Sequence, residues 1–341
     1  MADILLLIPA ALCLWGLKWT RELNEDGLGR NNTDALRGAL ALGILFVHIA
    51  QYCPGGVLFA LMEKVGYLLV AGFFFLSGYS LQSRHMTQKH YEKGFLRKRL
   101  LGMLLPYLVV TAVYWSYYNL LGFGYDLWDV LGLFAKGRPI ASFSWYIPAI
   151  LTFYLAFWGL MKLCKESYTT MVLGSGVWFA VYCLACLLLG FGNWWYVSAF
   201  PAVLGMAWAV HRRAIEGCLR KRYWMVLVPV LAVFAGITVL EKLVYMGVFN
   251  TVLKACAATL FAAGLVLLLY RLRLGNPVLR GLGQISMELY LMQGLAIMVL
   301  RSRWIYVKSP LLYGLLILAL TAFFALVVRI TFKGIPKKPT R

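Results

Sequence analysis

The chain has 341 residues, of which 62% are hydrophobic and 13% charged, with a mean hydropathy of +0.76; a soluble domain of that composition would leave too much apolar surface in water. A net charge of +20 would suggest nucleic acid in a soluble chain, but here Lys and Arg sit in short loops between apolar segments, where they orient helices in a bilayer. No nucleic-acid partner is expected, and the partners in view are membrane lipids.

Apolar segments fall at about residues 3–19, 35–53, 63–82, 100–122, 143–162, 170–190, 195–210, 224–242, 251–270, 285–303 and 311–332. Most have the ~20 residues a helix needs to cross a hydrocarbon core about 30 Å thick. The expected fold is all-α: a polytopic membrane helix bundle of eleven spans forming one membrane domain. The acidic stretch 22–26 and the lack of a small-residue cleavage pattern favour a retained first helix over a signal peptide. Neither a long linker nor an internal repeat is evident, which weighs against a second domain and against a secondary transporter.

If the loop 83–99 is cytoplasmic, so are 18–37, 162–169, 211–222, 271–284 and the tail after residue 328. Together they hold 25 of the 33 Lys and Arg residues, against 8 on the opposite side. A multi-pass protein of the cell membrane is expected, with its C-terminus cytoplasmic and its N-terminus outside. Seven cysteines, an odd number spread through apolar segments, imply no disulfide framework. Cys183 and Cys186 have the spacing of a redox or zinc pair but lack a second ligand pair nearby, so no metal is expected.

His48 stands deep in an apolar run, whereas His85, His90 and His211 lie in basic loops. It is either a neutral imidazole bonded to a neighbouring helix or a functional group. Arg37 precedes it by eleven residues, three helical turns plus about 20°, so both face one way, about 16 Å apart along the axis. Asp34 lies within about 40° of that direction if the helix reaches it, and is otherwise a plausible N-cap.

Asp34, Ala35, Leu36, Arg37 and Gly38, followed at the right interval by His48, resemble the signature of the acyltransferase 3 family. Phe73, Phe74 and Phe75 with Leu76, Ser77, Gly78 and Tyr79 are similar to its second-helix motif. Phe95, Arg97, Arg99, Pro106 and Tyr107 are similar to the basic start of its third helix. Ser144, Trp145 and Tyr146 followed by Tyr154, and Gly283, Gln284, Ile285 and Ser286 leading to Tyr290 and Leu291, are similar to two later segments. The resemblance spans about residues 33–332, and the ten helices of that stretch match the family's usual number. It therefore implies a polytopic membrane helix bundle of ten core helices plus one extra N-terminal helix, with the extra helix and a short cytoplasmic link over 1–30, the membrane acyltransferase domain over 31–333 and a basic cytoplasmic tail over 334–341. Two departures are Gly102, where a second arginine is common, and Met292–Gln293, where a histidine commonly follows.

The resemblance implies transfer of an acyl group from cytoplasmic acyl-CoA, acetyl-CoA being expected, to a hydroxyl of a cell-envelope carbohydrate or its lipid-linked precursor. Acyl-CoA is then a donor substrate, not a permanently bound cofactor. His48 is the implied catalytic residue, with Arg37 and Asp34 beside it. His48 would serve as general base or would carry the acyl group itself. Arg37, Arg97, Arg99 and Arg84 fall near cytoplasmic helix ends, where guanidinium groups pair with CoA phosphates or anchor the helices by snorkelling. Glu288, an intramembrane carboxylate, is a candidate for acceptor binding or for pairing with an arginine of a neighbouring helix. Ser286, Tyr290 and Gln293 share a different face and form a rival acceptor lining. Trp145 is a candidate for sugar stacking, although it sits, with Trp194, Trp195 and Tyr196, where interfacial aromatics are expected.

Two other functions fit the same residues. A transporter or flippase of a lipid-linked or small polar substrate would also have many helices and a few buried polar groups. A non-catalytic partner would instead hold a separate extracytoplasmic transferase.

Overall fold

The computed structural model describes residues 2–24, 26–53, 56–164, 167–244 and 247–332; the expected basic tail 334–341 lies outside them. A 3₁₀ turn, Ala2–Leu6, leads into α1 (Leu7–Leu14) and strand β1 (Leu17–Trp19). Then follow α2 (Arg30–Tyr52), α3 (Val57–Glu63), α4 (Gly66–Thr87), α5 (Phe95–Leu120), α6 (Leu127–Ala135), α7 (Tyr146–Leu163) and α8 (Tyr168–Leu188). The remainder is α9 (Pro201–Val210), α10 (Arg212–Leu243), α11 (Gly247–Leu269), β2 (Leu272–Leu274), α12 (Pro277–Gln284), α13 (Ser286–Val299) and α14 (Pro310–Phe332).

The chain is a multi-pass helical bundle. Among the described residues, α2, α5, α7, α8, α10, α11 and α14 are each long and apolar enough to span a bilayer. Two bent pairs, α3 with α4 at 44° and α12 with α13 at 78°, pass the same test when each pair is taken as one span. The long helices present large apolar side chains outward, such as Leu173, Val177, Val228 and Phe323, as lipid-facing helices must.

Two of the expected spans are short, so among the described residues the bundle matches the expected ten helices plus one in kind but not in a count of full-length spans. The first is helical only over Asp3–Leu14, because Gly16 adopts φ +74° and the chain then turns into β1. The span expected at 195–210 is helical over Pro201–Val210, where Pro201 sets the first helical turn. Ten residues rise only about 15 Å, half of a hydrocarbon core.

α2 is the buried axis, with 78% of its apolar window inside the protein. α12 lies directly against its first half, and glycine permits the approach. A Cβ on Gly38 would collide with the Leu279 carbonyl oxygen, and one on Gly283 with that of Asp34. Ile285 (φ −115°, ψ 19°) then breaks the helix, so that α13 turns back along the second half of α2.

The N-terminal segment is bound at both ends. The Phe59 amide donates to the Asp3 carboxylate at 3.0 Å, and Leu5 is buried against the cluster containing Tyr313 and Ile317. At the far end β1 pairs antiparallel with β2. Asn32 ties α2 to that strand pair, accepting from Leu274 N–H at 2.8 Å and donating to the Leu272 carbonyl at 3.2 Å.

Candidate functional site

One stripe of α2, with Arg37, Ala41, Ile44 and His48 at intervals of four, three and four, lines two cavities placed end to end. The smaller, about 190 Å³, is bounded by Arg37, Phe73, Met103, Tyr146 and Ser286. The larger, about 510 Å³, contains His48 together with Gln51, Tyr67, Phe143, Trp145 and Trp194, and with Lys64 and Arg138 in its wall. Ile44, Val70 and Tyr290 border both, so the two cavities adjoin.

Within the larger chamber, His48 Nδ1 lies 3.2 Å from Gln51 Oε1. With the amide oxygen accepting, Nδ1 carries the proton and Nε2 keeps its lone pair. The imidazole stacks on the Phe143 ring, centroids 3.9 Å apart and planes inclined at 26°. Phe143 has φ +66°, and its carbonyl accepts from the Tyr290 hydroxyl. That hydroxyl also accepts from the Tyr146 N–H at 3.2 Å.

At the other end Arg37 donates to Asp34 at 3.0 Å, and Arg30 lies 3.7 Å from the same carboxylate. Arg99, Arg37 and Arg30 are each within electrostatic range of Arg84. Arg99 donates to the Tyr91 hydroxyl at 3.2 Å and lies over the Tyr154 ring at 5.5 Å. Arg97, two residues before Arg99 and so about 200° around α5, is exposed and is not among the charges that act on Arg84.

The remaining candidates separate. Ser286 faces the smaller cavity, Trp145 the larger, and Tyr290 both. Gln293 is buried behind Tyr290 and donates to its carbonyl at 3.1 Å. Glu288 borders neither cavity and pairs with Arg329 of α14 at 3.2 Å. Cys183 and Cys186 are free thiols, and they pack with Trp195 and Tyr196.

Sequence reasoning missed Gln51, Phe143, Lys64 and Arg138. Gln51 was within reach, since a polar residue three places after a buried histidine shares its helical face. Phe143 carries no such signal, because its contact with His48 spans 95 residues of chain.

An apolar multi-pass bundle with polar side chains lining two internal cavities has the character of an integral-membrane protein. A family model described as an acyltransferase domain matches residues 30–330, and the chain belongs to the acyltransferase 3 family of membrane acyltransferases. Comparison with curated proteins and with solved structures gave no match.

Proposed function

We propose that the protein transfers an acyl group, acetyl by expectation, from acyl-CoA at the Arg37 end to a hydroxyl in the His48 chamber. The acceptor is a cell-envelope carbohydrate or its lipid-linked precursor. One observation carries the reading: a single face of α2 lines two chambers that meet at Ile44, Val70 and Tyr290. The excess of Lys and Arg at the Arg37 end supports a cell-membrane orientation with that end facing the cytoplasm, where acyl-CoA is found.

Arg37, Arg84 and Arg99 are the guanidinium groups grouped to receive the CoA phosphates. Arg97, on the opposite side of α5, is the outlying member of the expected set. The pantetheine arm has the length to bring the thioester over the ~16 Å of helix rise between Arg37 and His48. His48 Nε2 takes the proton of the acceptor hydroxyl as its oxygen attacks the thioester carbonyl. The tetrahedral intermediate collapses with loss of the CoA thiolate, and the imidazolium returns its proton to that sulfur. An acyl-histidine route would likewise end without His48. Trp145 and Trp194 offer flat faces for a sugar, and Lys64 and Arg138 favour an acceptor bearing phosphate or carboxylate.

The test is to incubate membranes containing the parent or the His48→Ala variant, at matched expression, with radiolabelled acetyl-CoA and envelope glycan. Base-labile label in the glycan from the parent alone supports the reading. Equal label from both removes His48 from the chemistry. Label that appears only when a soluble extracytoplasmic transferase is added makes that transferase the true acceptor partner. No label with any acyl donor, together with movement of an unmodified lipid-linked substrate, replaces the reading with a flippase.

A further inference from the structure

The backbone of Phe143 lies in the left-handed region, at φ +66°, where the Cβ of an L-residue crowds the neighbouring carbonyl oxygen. Such a conformation persists only where its surroundings over-determine it. Here the surrounding group is the Tyr290 hydroxyl, which donates to the Phe143 carbonyl and accepts from the Tyr146 N–H at 3.2 Å. One phenol thus spans the turn between Phe143 and the start of α7. Tyr290 is itself held, since Gln293 donates to its carbonyl and the neighbouring Leu291 carbonyl accepts from Tyr114 at 3.1 Å.

We propose that Tyr290 is a positioning residue for His48: it fixes the Phe143 backbone so that the Phe143 ring lies flat on the imidazole. Stacking at 3.9 Å covers one face of the imidazole and orients its plane. The ring nitrogens, whose lone pair and N–H lie in that plane, stay free to bond to Gln51 on one side and to substrate on the other. Tyr290 thereby acts on the reacting group across the chain without touching it. The assignment rests on the reading of His48 as the group that takes the hydroxyl proton, but its primary test does not need acyl transfer to occur.

Full-length protein is treated with diethyl pyrocarbonate, and the rate of carbethoxylation at His48 is followed by peptide mass spectrometry. The variants are Tyr290→Phe, Phe143→Ala and the double substitution, with His85, His90 and His211 as internal controls for an intact fold. The expected result is a several-fold faster reaction at His48 in each single variant, no further increase in the double, and unchanged rates at the controls. Non-additivity of that kind identifies two residues acting through one contact. An unchanged rate in Tyr290→Phe while Phe143→Ala reacts faster overturns the proposal, and so do effects that multiply independently in the double variant.

In the transfer assay Tyr290→Phe lowers kcat by about tenfold to a hundredfold, as expected for a misplaced group, and leaves KM for acyl-CoA unchanged. A raised KM with unchanged kcat would make Tyr290 a substrate contact and overturn the positioning role. If the parent shows no transfer, the function proposed above fails, and the carbethoxylation rates still decide the role of Tyr290.

Discussion

Arg37 is tethered to Asp34, one turn back on the same helix, by a 3.0 Å charge-assisted hydrogen bond, and its guanidinium borders the smaller chamber. The tether reduces the freedom of a long side chain before any ligand arrives. Its intrinsic worth is modest, about 0.2–1 kcal/mol for a partly exposed pair, so its main effect is on geometry. Asp34→Asn should raise KM for acyl-CoA by about two- to fivefold. Arg37→Lys, which keeps the charge and loses the planar fork, should raise it by about tenfold. Initial rates over a series of acyl-CoA concentrations measure both; equal KM values in all three proteins would take the arginine out of donor binding.

Gln51 sets the tautomer of His48 in the proposed mechanism. Gln51→Leu removes the acceptor facing Nδ1 and leaves the imidazole free to place its proton on either nitrogen. The transfer rate should fall by about tenfold, short of the 10²–10⁴-fold expected when the base itself is lost in His48→Ala. Rates at matched membrane abundance order the three proteins as parent, Gln51→Leu, His48→Ala; a leucine variant as fast as the parent contradicts the tautomer argument.

Glu288 and Arg329 join α13 to α14 at 3.2 Å, with the carboxylate side chain 7% exposed and the guanidinium 38%. Glu288→Ala leaves the arginine unpaired at a helix interface, a loss of about 1–3 kcal/mol for so partially exposed a pair. The expected outcome is a lower melting temperature in detergent with turnover per folded molecule unchanged. A normal melting temperature with lost turnover would return the carboxylate to the acceptor site.

Gly283 and Gly38 permit the contact of α12 with α2. Gly283→Ala would place a methyl group against the Asp34 carbonyl, and overpacking of this kind costs about 1–3 kcal/mol or more. The monodisperse fraction on size-exclusion chromatography should fall, whereas Gly281→Ala, where the added Cβ meets open space, should leave it unchanged.

How much of this was legible in the sequence depends on whether the contact is local. The stripe from Arg37 to His48 follows from helical periodicity alone, and the structure places both on the cavity-lining face of α2. The bond of Gln51 to His48 is equally local. The stacking of Phe143 on His48 and the pairing of Glu288 with Arg329, 41 residues apart, depend on packing that no window of sequence contains. Hydropathy likewise marks 195–210 as apolar without revealing that ten helical residues suffice there, because α9 is covered by α4 and α8 rather than by lipid alone. The motif residue Gly283 serves the close approach of α12 to α2, a role that its place in the motif does not reveal.

The pairing of Leu17–Trp19 with Leu272–Leu274 has a consequence for biosynthesis. The first strand leaves the ribosome some 255 residues before its partner, an interval of roughly 10–50 s at ordinary rates of translation. During that time α2, with Asp34, Arg37 and His48 along one face, lacks α12 and α13, the helices that cover it. Nascent chains arrested before residue 272 should therefore expose this polar stripe to lipid or to an insertase, and assembly of the chamber waits on the last quarter of the polypeptide.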